Sequence, residues 1–195
     1  MKKEAEPIIR PTLEELEKEL HIVRQMRDIR KAVLSAFCTL LVFAAAAVLI
    51  SALFFPVLQV HKGSMAPTLQ DGDIVFFVAG GNVNKSDVIA FYYDNNVLIK
   101  RVIATSGDTV DITDDGAVIL NGALKGESYV PDPSRGECTI GLPVSVPADR
   151  IFVMGDNRAT SIDSRIAEVG LISEEKIVGK ALFRIWPLNR LGPVR

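Results

Sequence analysis

The sequence predicts a mainly β protein, an antiparallel β-sandwich or partly closed barrel, standing behind one N-terminal transmembrane helix. Two features lead to that reading. Between Lys31 and His61 there is no charged residue, and the run AVLSAFCTLLVFAAAAVLISALFF fills the 24 positions before Pro56. From residue 70 onward, turn signals instead recur every eight to twelve residues and separate short β-branched and aromatic runs. With 195 residues, 48% of them apolar, the chain has material for about one compact domain once the membrane segment is set aside.

Thr12-Leu13-Glu14-Glu15 has the spacing of a capping box, and Leu13, Leu16, Leu20 and Val23 then recur at helical spacing. Residues 1–31 therefore read as a cytoplasmic amphipathic extension resting on the membrane. Residues 32–60 read as the anchor, since a bilayer core about 30 Å thick needs roughly 20 apolar residues at about 1.5 Å each. A removable export signal is disfavoured, because its apolar stretch is shorter and no acid-rich segment of 31 residues precedes it. Arg24, Arg27, Arg30 and Lys31 face the single acid Asp28 before the helix, and only Lys62 follows it closely. The positive-inside rule then leaves the N-terminus in the cytoplasm and makes residues 61–195 an extracytoplasmic domain of a protein that crosses the cell membrane once.

In that domain Asp71-Gly72, Gly80-Gly81, Asp94-Asn95-Asn96, Ser106-Gly107, Asp114-Asp115-Gly116 and Asn121-Gly122 punctuate runs such as 73–78, 88–92 and 117–120. These runs are too short for helices. Tyr129 to Ala148, with four prolines, reads as an irregular surface excursion. The formal charge of −2 is spread evenly along the chain, which removes the electrostatic pull toward polyanions and argues against nucleic acid as a partner. Two cysteines cannot build a disulfide framework: Cys38 falls in the membrane segment, leaving Cys138 as a small buried hydrophobe or a free thiol. With Cys38, Cys138, His21 and His61 so dispersed, neither a metal site nor a cofactor is expected.

Ser64 sits on a turn formed by Gly63 and Pro67, a few residues after the anchor and so close to the outer membrane surface. In Val97 to Ile103, strand alternation places Lys100 with Leu98 and Val102, and Arg101 on the other face with Ile99 and Ile103. A lysine among apolar neighbours loses solvation of its charged form, so its amine becomes able to accept a hydroxyl proton. Arg101 cannot do so, because guanidinium stays protonated. Histidine is poorly placed for a triad, with His21 on the cytoplasmic side and His61 three residues from Ser64. A serine paired with a lysine is a known variant of the same nucleophile logic. A third segment, Gly155 to Arg165, packs charges and hydroxyls behind the apolar run Ile151 to Met154.

In order behind an anchor, Ser64-Met65-Ala66-Pro67-Thr68-Leu69, Asp71-Gly72-Asp73-Ile74-Val75, Lys100-Arg101-Val102-Ile103 with Gly107-Asp108, and residues 155–165 resemble the bacterial type I signal peptidases, membrane-anchored serine proteases. The resemblance runs from the anchor to Trp186-Pro187. It implies a β-rich catalytic domain, signal peptides of exported preproteins as substrates, and the membrane lipid and the secretion translocon as surroundings. It also implies Ser64 as nucleophile, Lys100 as general base, Ser161 as the serine orienting the lysine, and Asp163 with Arg165 as a supporting ion pair. Asp156 and Arg158 read as structural members of the last segment.

Two departures stand out. Ala104-Thr105-Ser106-Gly107-Asp108 replaces a more rigid proline-containing turn. Lys62 stands where some members have a serine whose hydroxyl helps hold the oxyanion, leaving the Ser64 backbone amide as one donor and the second open. Lys62 either extends toward lipid headgroups or points inward and supplies positive charge. The alternatives are a related protease dedicated to a few surface or pilus substrates, a self-cleaving Ser-Lys regulator of the phage-repressor type, and an inactive anchored β module that binds exported chains. The missing DNA-binding helices and the anchor weigh against the regulator.

Overall fold

The computed structural model describes residues 12–194; residues 1–11 of the expected extension lie outside the described residues. Helix α1 runs without a break over Leu13–Phe54, 42 residues or about 63 Å of rise. No glycine or proline occurs within it, so extension and anchor form one rod instead of two pieces. At its start the Thr12 amide donates to the Glu15 carboxylate at 3.0 Å, one half of the expected capping box. The helix is long and apolar enough to cross a membrane, and large apolar side chains along it, from Leu13 to Ile50, are exposed. Pro56 follows its last turn, as expected for a residue that cannot continue a helix.

The chain divides into two compact units at Ile50. The second holds twelve strands: β1 (Val57–Gln59), β2 (Ile74–Val78), β3 (Val88–Tyr93), β4 (Asn96–Ala104), β5 (Thr109–Ile112) and β6 (Val118–Leu120) in its first half, then β7 (Ala123–Leu124), β8 (Val144–Ser145), β9 (Arg150–Met154), β10 (Ile172–Ser173), β11 (Ile177–Trp186) and β12 (Gly192–Pro193). They form a large antiparallel sheet in the order β1-β2-β11-β3-β4-β9-β10, with β12 on β11, and a small one in the order β7-β6-β5-β8. This agrees with the mainly β class the sequence predicts. Residues 57–59, counted with the anchor on sequence grounds, are instead an edge strand of the large sheet.

The turns do what their residues require. Asn121 and Gly122 take φ of 53° and 80° between β6 and β7, the paired positive values of a tight hairpin turn. Gly116 (φ 87°) has a further reason to lack a side chain, because a Cβ there would lie 2.3 Å from the Ser134 carbonyl carbon. Residues 129–148 carry little regular structure apart from β8, in keeping with an irregular excursion. Cys138 is half-buried and free.

Alternation along β2 buries Val75 and Phe77, which pack with Val60, Met65 and Leu69 into one apolar cluster. A second cluster, with Ile103, Val110, Val118, Phe152 and Met154, joins the small sheet to the large one. Leu98 and Val102 pack into a third with Ile89, Phe91 and Val153, whereas Ile99 packs against the first. The expected alternation of β4 therefore holds through Val102.

Candidate active site

The segment after Gly63 turns back on itself, with the Ala66 amide donating to Gly63 O at 3.1 Å and the Leu69 amide to Met65 O at 2.9 Å. Met65 and Leu69 are buried in the first core cluster, and burial of side chains of this size stabilises by about 1.5–3 kcal/mol each. Ser64, between the exposed Gly63 and the buried Met65, is thus held on a fixed turn. Asn157 holds it from the opposite segment: its amide donates to Ser64 O at 3.1 Å and its Nδ2 to Gly63 O at 3.2 Å.

Lys100, in mid β4, points its Nζ at Ser64 Oγ across 2.7 Å. The residue is only 3% exposed. Burial pushes its pKa down to about 8, more than the nearby Asp163 carboxylate raises it, and the Arg165 guanidinium acts in the same direction as burial. Asp163 and Arg165 form a buried bidentate pair, Nε to Oδ1 and Nη2 to Oδ2 both at 2.8 Å. Burial alone would raise the Asp163 carboxyl, but Arg165 and the Gly155 amide, at 2.9 Å, hold it below its usual range.

Ser161 is buried beside this group. A Cβ built on Gly155 would meet Ser161 Oγ at 2.2 Å and the Ser64 carbonyl oxygen at 2.5 Å, so Gly155 lets Ser161 and the turn that carries Ser64 approach closely. The Ser161 hydroxyl favours the Asp163 carboxylate without a well-formed hydrogen bond, and no hydrogen bond joins it to Lys100 among the described residues. Lys62 is exposed, adopts φ 68°, and has its amide bound to Asp71 Oδ1 at 2.8 Å. With Gln59, His61 and Ser64 on one side and Val97, Leu98 and Lys100 on the other, it lines a cavity of about 360 Å³.

A family model described as "Signal peptidase, peptidase S26" matches residues 30–186. The chain belongs to this family. Among curated relatives, it is 34% identical over 158 residues to signal peptidase I of Bacillus licheniformis, a match spanning 74% of this chain and 84% of the relative. Signal peptidase I T of Bacillus subtilis (strain 168) is also 34% identical, over 74% of this chain and 81% of its own. A solved signal peptidase I from Enterococcus faecalis V583 aligns with 51% of this chain and 97% of its own at 27% identity, with a TM-score of 0.42. The protein is accordingly a signal peptidase of the serine endopeptidase class, and its apolar helix fits a membrane location.

The structure of this signal peptidase adds residues that the sequence reading passed over. Arg101, set aside there because it cannot act as a base, makes a buried bidentate pair with Asp156, at 2.9 and 2.7 Å. The Tyr129 ring lies 4.0 Å from its guanidinium carbon, and the Tyr129 hydroxyl donates to Glu127 at 2.7 Å. Glu127 also pairs with the buried Arg158 at 2.8 Å, and Arg158 Nε donates to Gly155 O at 3.1 Å. Asp156 and Arg158 thus sit in a buried charged framework next to Thr68, on the turn that carries Ser64. Asn157 was overlooked as well, although its place in the signature segment was the signal that could have found it.

Proposed function

We propose that this peptidase removes signal peptides from exported preproteins with Ser64 as nucleophile and Lys100 as general base. The observation that carries the reading is the 2.7 Å approach of a buried lysine to a serine on a fixed turn. Neutral Lys100 accepts the Ser64 hydroxyl proton as Oγ attacks the scissile carbonyl. The resulting ammonium protonates the leaving amine as the peptide bond breaks, and Lys100 then activates the water that hydrolyses the acyl-enzyme. The Ser64 amide, and the Lys62 cation as second donor, stabilise the oxyanion. Ser161, with the Asp163–Arg165 pair, confines the space in which the lysine amine moves.

A substrate segment fits as an added strand. Residues 96–100 of β4 pair with β3 on one edge, and β9 takes up the other edge only from Arg101 onward. The free edge borders the cavity opposite Gln59 to Gly63, so an extended peptide laid there brings small side chains against Leu98 and Ile99. The basic cluster before the helix supports a cytoplasmic N-terminus and an extracytoplasmic dyad. Ser64 is the tenth residue after Phe54, a reach of at most about 35 Å, which suits a cleavage site emerging from the lipid near the translocon.

The test is cleavage of a purified preprotein bearing an alanine-type signal site by detergent-solubilised enzyme and its Ser64→Ala variant, with the new N-terminus sequenced. Cleavage at the signal site by the native chain only is expected. Activity retained by Ser64→Ala would overturn the assignment.

A further inference from the structure

The nucleophile turn is held at a second point, by groups that the dyad does not use. Thr68 lies four residues after Ser64 on the same turn. Its hydroxyl donates to Asp156 Oδ2 at 2.6 Å, which ties the turn to the signature segment. Its carbonyl oxygen accepts Arg184 Nη1 at 3.0 Å, from far along β11. That guanidinium is itself fixed, with Nε donating to Arg190 O at 2.6 Å and Nη1 lying 3.3 Å from Asp73 Oδ2. Asp73 is fully buried, and it also accepts the Gln70 amide at 2.9 Å and Arg190 Nη2 at 2.5 Å. A charge-assisted cluster thus joins β11, the turn after it and the Asp71-Gly72-Asp73 segment to one backbone carbonyl of the nucleophile turn.

We propose that Arg184 is a positioning residue for the cleavage reaction: through the Thr68 carbonyl it fixes the turn so that Ser64 Oγ stays at proton-transfer distance from Lys100. The inference rests on the reading of Ser64 as nucleophile. Apolar burial of Met65 and Leu69 sets how deep the turn sits but is non-directional, and the Asn157 bonds hold only its Gly63–Ser64 end, so holding the Thr68 end against sliding needs directed bonds of its own. A hydrogen bond from a planar guanidinium, itself held at two other points, opposes that sliding. Small misplacements matter at this distance, since about 1 Å at a reacting group costs on the order of a hundredfold in rate. Arg184 acts on the geometry of attack and not on the substrate cavity, whose lining does not include it.

The experiment compares full-length wild type with Arg184→Met, Arg184→Lys and, as a destabilised control, Asp108→Asn. Asp108 accepts the Thr105 amide, Asn121 and Lys85 away from the dyad, so its loss lowers Tm without touching the turn. For each variant Tm, kcat, KM and the pH profile are measured on the same preprotein. Arg184→Met is expected to lose about tenfold in kcat, with KM within about twofold and the acidic limb of the profile unmoved, because the surroundings of Lys100 are intact. Arg184→Lys recovers part of the loss, as one ammonium reaches either Thr68 O or Asp73 but cannot reproduce the planar fork. Asp108→Asn keeps its kcat below its melting range. An unchanged kcat in Arg184→Met, or a kcat loss in Asp108→Asn that matches it at equal loss of Tm, overturns the inference. If Arg184→Met does not fold, Arg184→Lys decides: reduced kcat at wild-type KM supports the role and wild-type kcat overturns it. Activity in Ser64→Ala would instead refute the nucleophile assignment, and so the two failures are distinguishable.

Discussion

In the proposed mechanism, Lys100 is where stability and chemistry oppose each other. Its pKa of about 8 in the folded chain lies below the ordinary 10.5, so the folded state binds fewer protons than the unfolded state between those two values. Stability therefore rises with pH across the window from about 8 to 10.5, and below 8 the fold bears the full cost of a buried ammonium. At about 1.4 kcal/mol per pH unit this cost is on the order of 3 kcal/mol. Lys100→Met should abolish cleavage and raise Tm at pH 7, with the advantage over wild type shrinking toward pH 10; a variant less stable than wild type at pH 7 contradicts the burial argument. The same value places the acidic limb of kcat/KM near pH 8, where the free base becomes half-populated. Asp163→Asn removes the foremost carboxylate opposing the shift, so that limb should move below 8, measurable wherever residual activity allows a profile. Ser64 and Lys100 were legible as residue types: one serine on a glycine-proline turn and one lysine in an apolar strand are what a Ser-Lys dyad needs. Their 2.7 Å contact was not, because 36 residues of chain separate them and no periodicity encodes a long-range approach.

At the scale of elements, the turn that carries Ser64, β4 and the segment after β9 are joined by buried charge as well as by strand pairing. Arg101 and Asp156, each with a side chain 1% exposed, are the central pair. Removing one partner of such a pair strands an uncompensated charge and costs about 3–5 kcal/mol, whereas replacing both by apolar groups is often neutral. Asp156→Leu and Arg101→Met alone should therefore each lower the denaturation midpoint strongly, and the two combined should recover most of that loss. Additive single effects in this double-mutant cycle would mean that the two side chains do not depend on each other. The strands themselves were readable, because β2, β3 and β6 fall on β-branched runs bounded by Gly, Asn and Asp turns. The charged framework was not. Tyr129 opens the excursion that the sequence marks only as irregular and Glu127 lies two residues before it, and nothing in the composition there shows that these side chains meet Arg101 and Arg158. Strand β1 was missed for a related reason: Val57-Leu58-Gln59 continues an apolar run, and composition cannot separate the last residues of an anchor from the first strand of a sheet.

For the whole molecule, the decisive physical quantity is the asymmetry of charge about one long helix. About 30 Å of hydrocarbon takes roughly 20 residues, so a 42-residue helix has about 20 to spare. The charged residues 14–31 can be placed only in that surplus, since each charge at the bilayer centre would cost several kcal/mol. With Arg24, Arg27, Arg30 and Lys31 grouped at the start of the apolar stretch, the orientation proposed above has Leu13 in the cytoplasm and Leu124 outside. Both side chains are well exposed, at 83% and 73%, so both accept a probe without disturbing a core. In a background where Cys38 and Cys138 are replaced by serine, Leu124→Cys in intact spheroplasts should react with a membrane-impermeant maleimide, and Leu13→Cys should react only after permeabilisation. The reverse pattern would place the dyad in the cytoplasm, on the wrong side for a cleavage site that emerges during export. Labelling of both positions in intact cells would show that the helix does not span the membrane at all.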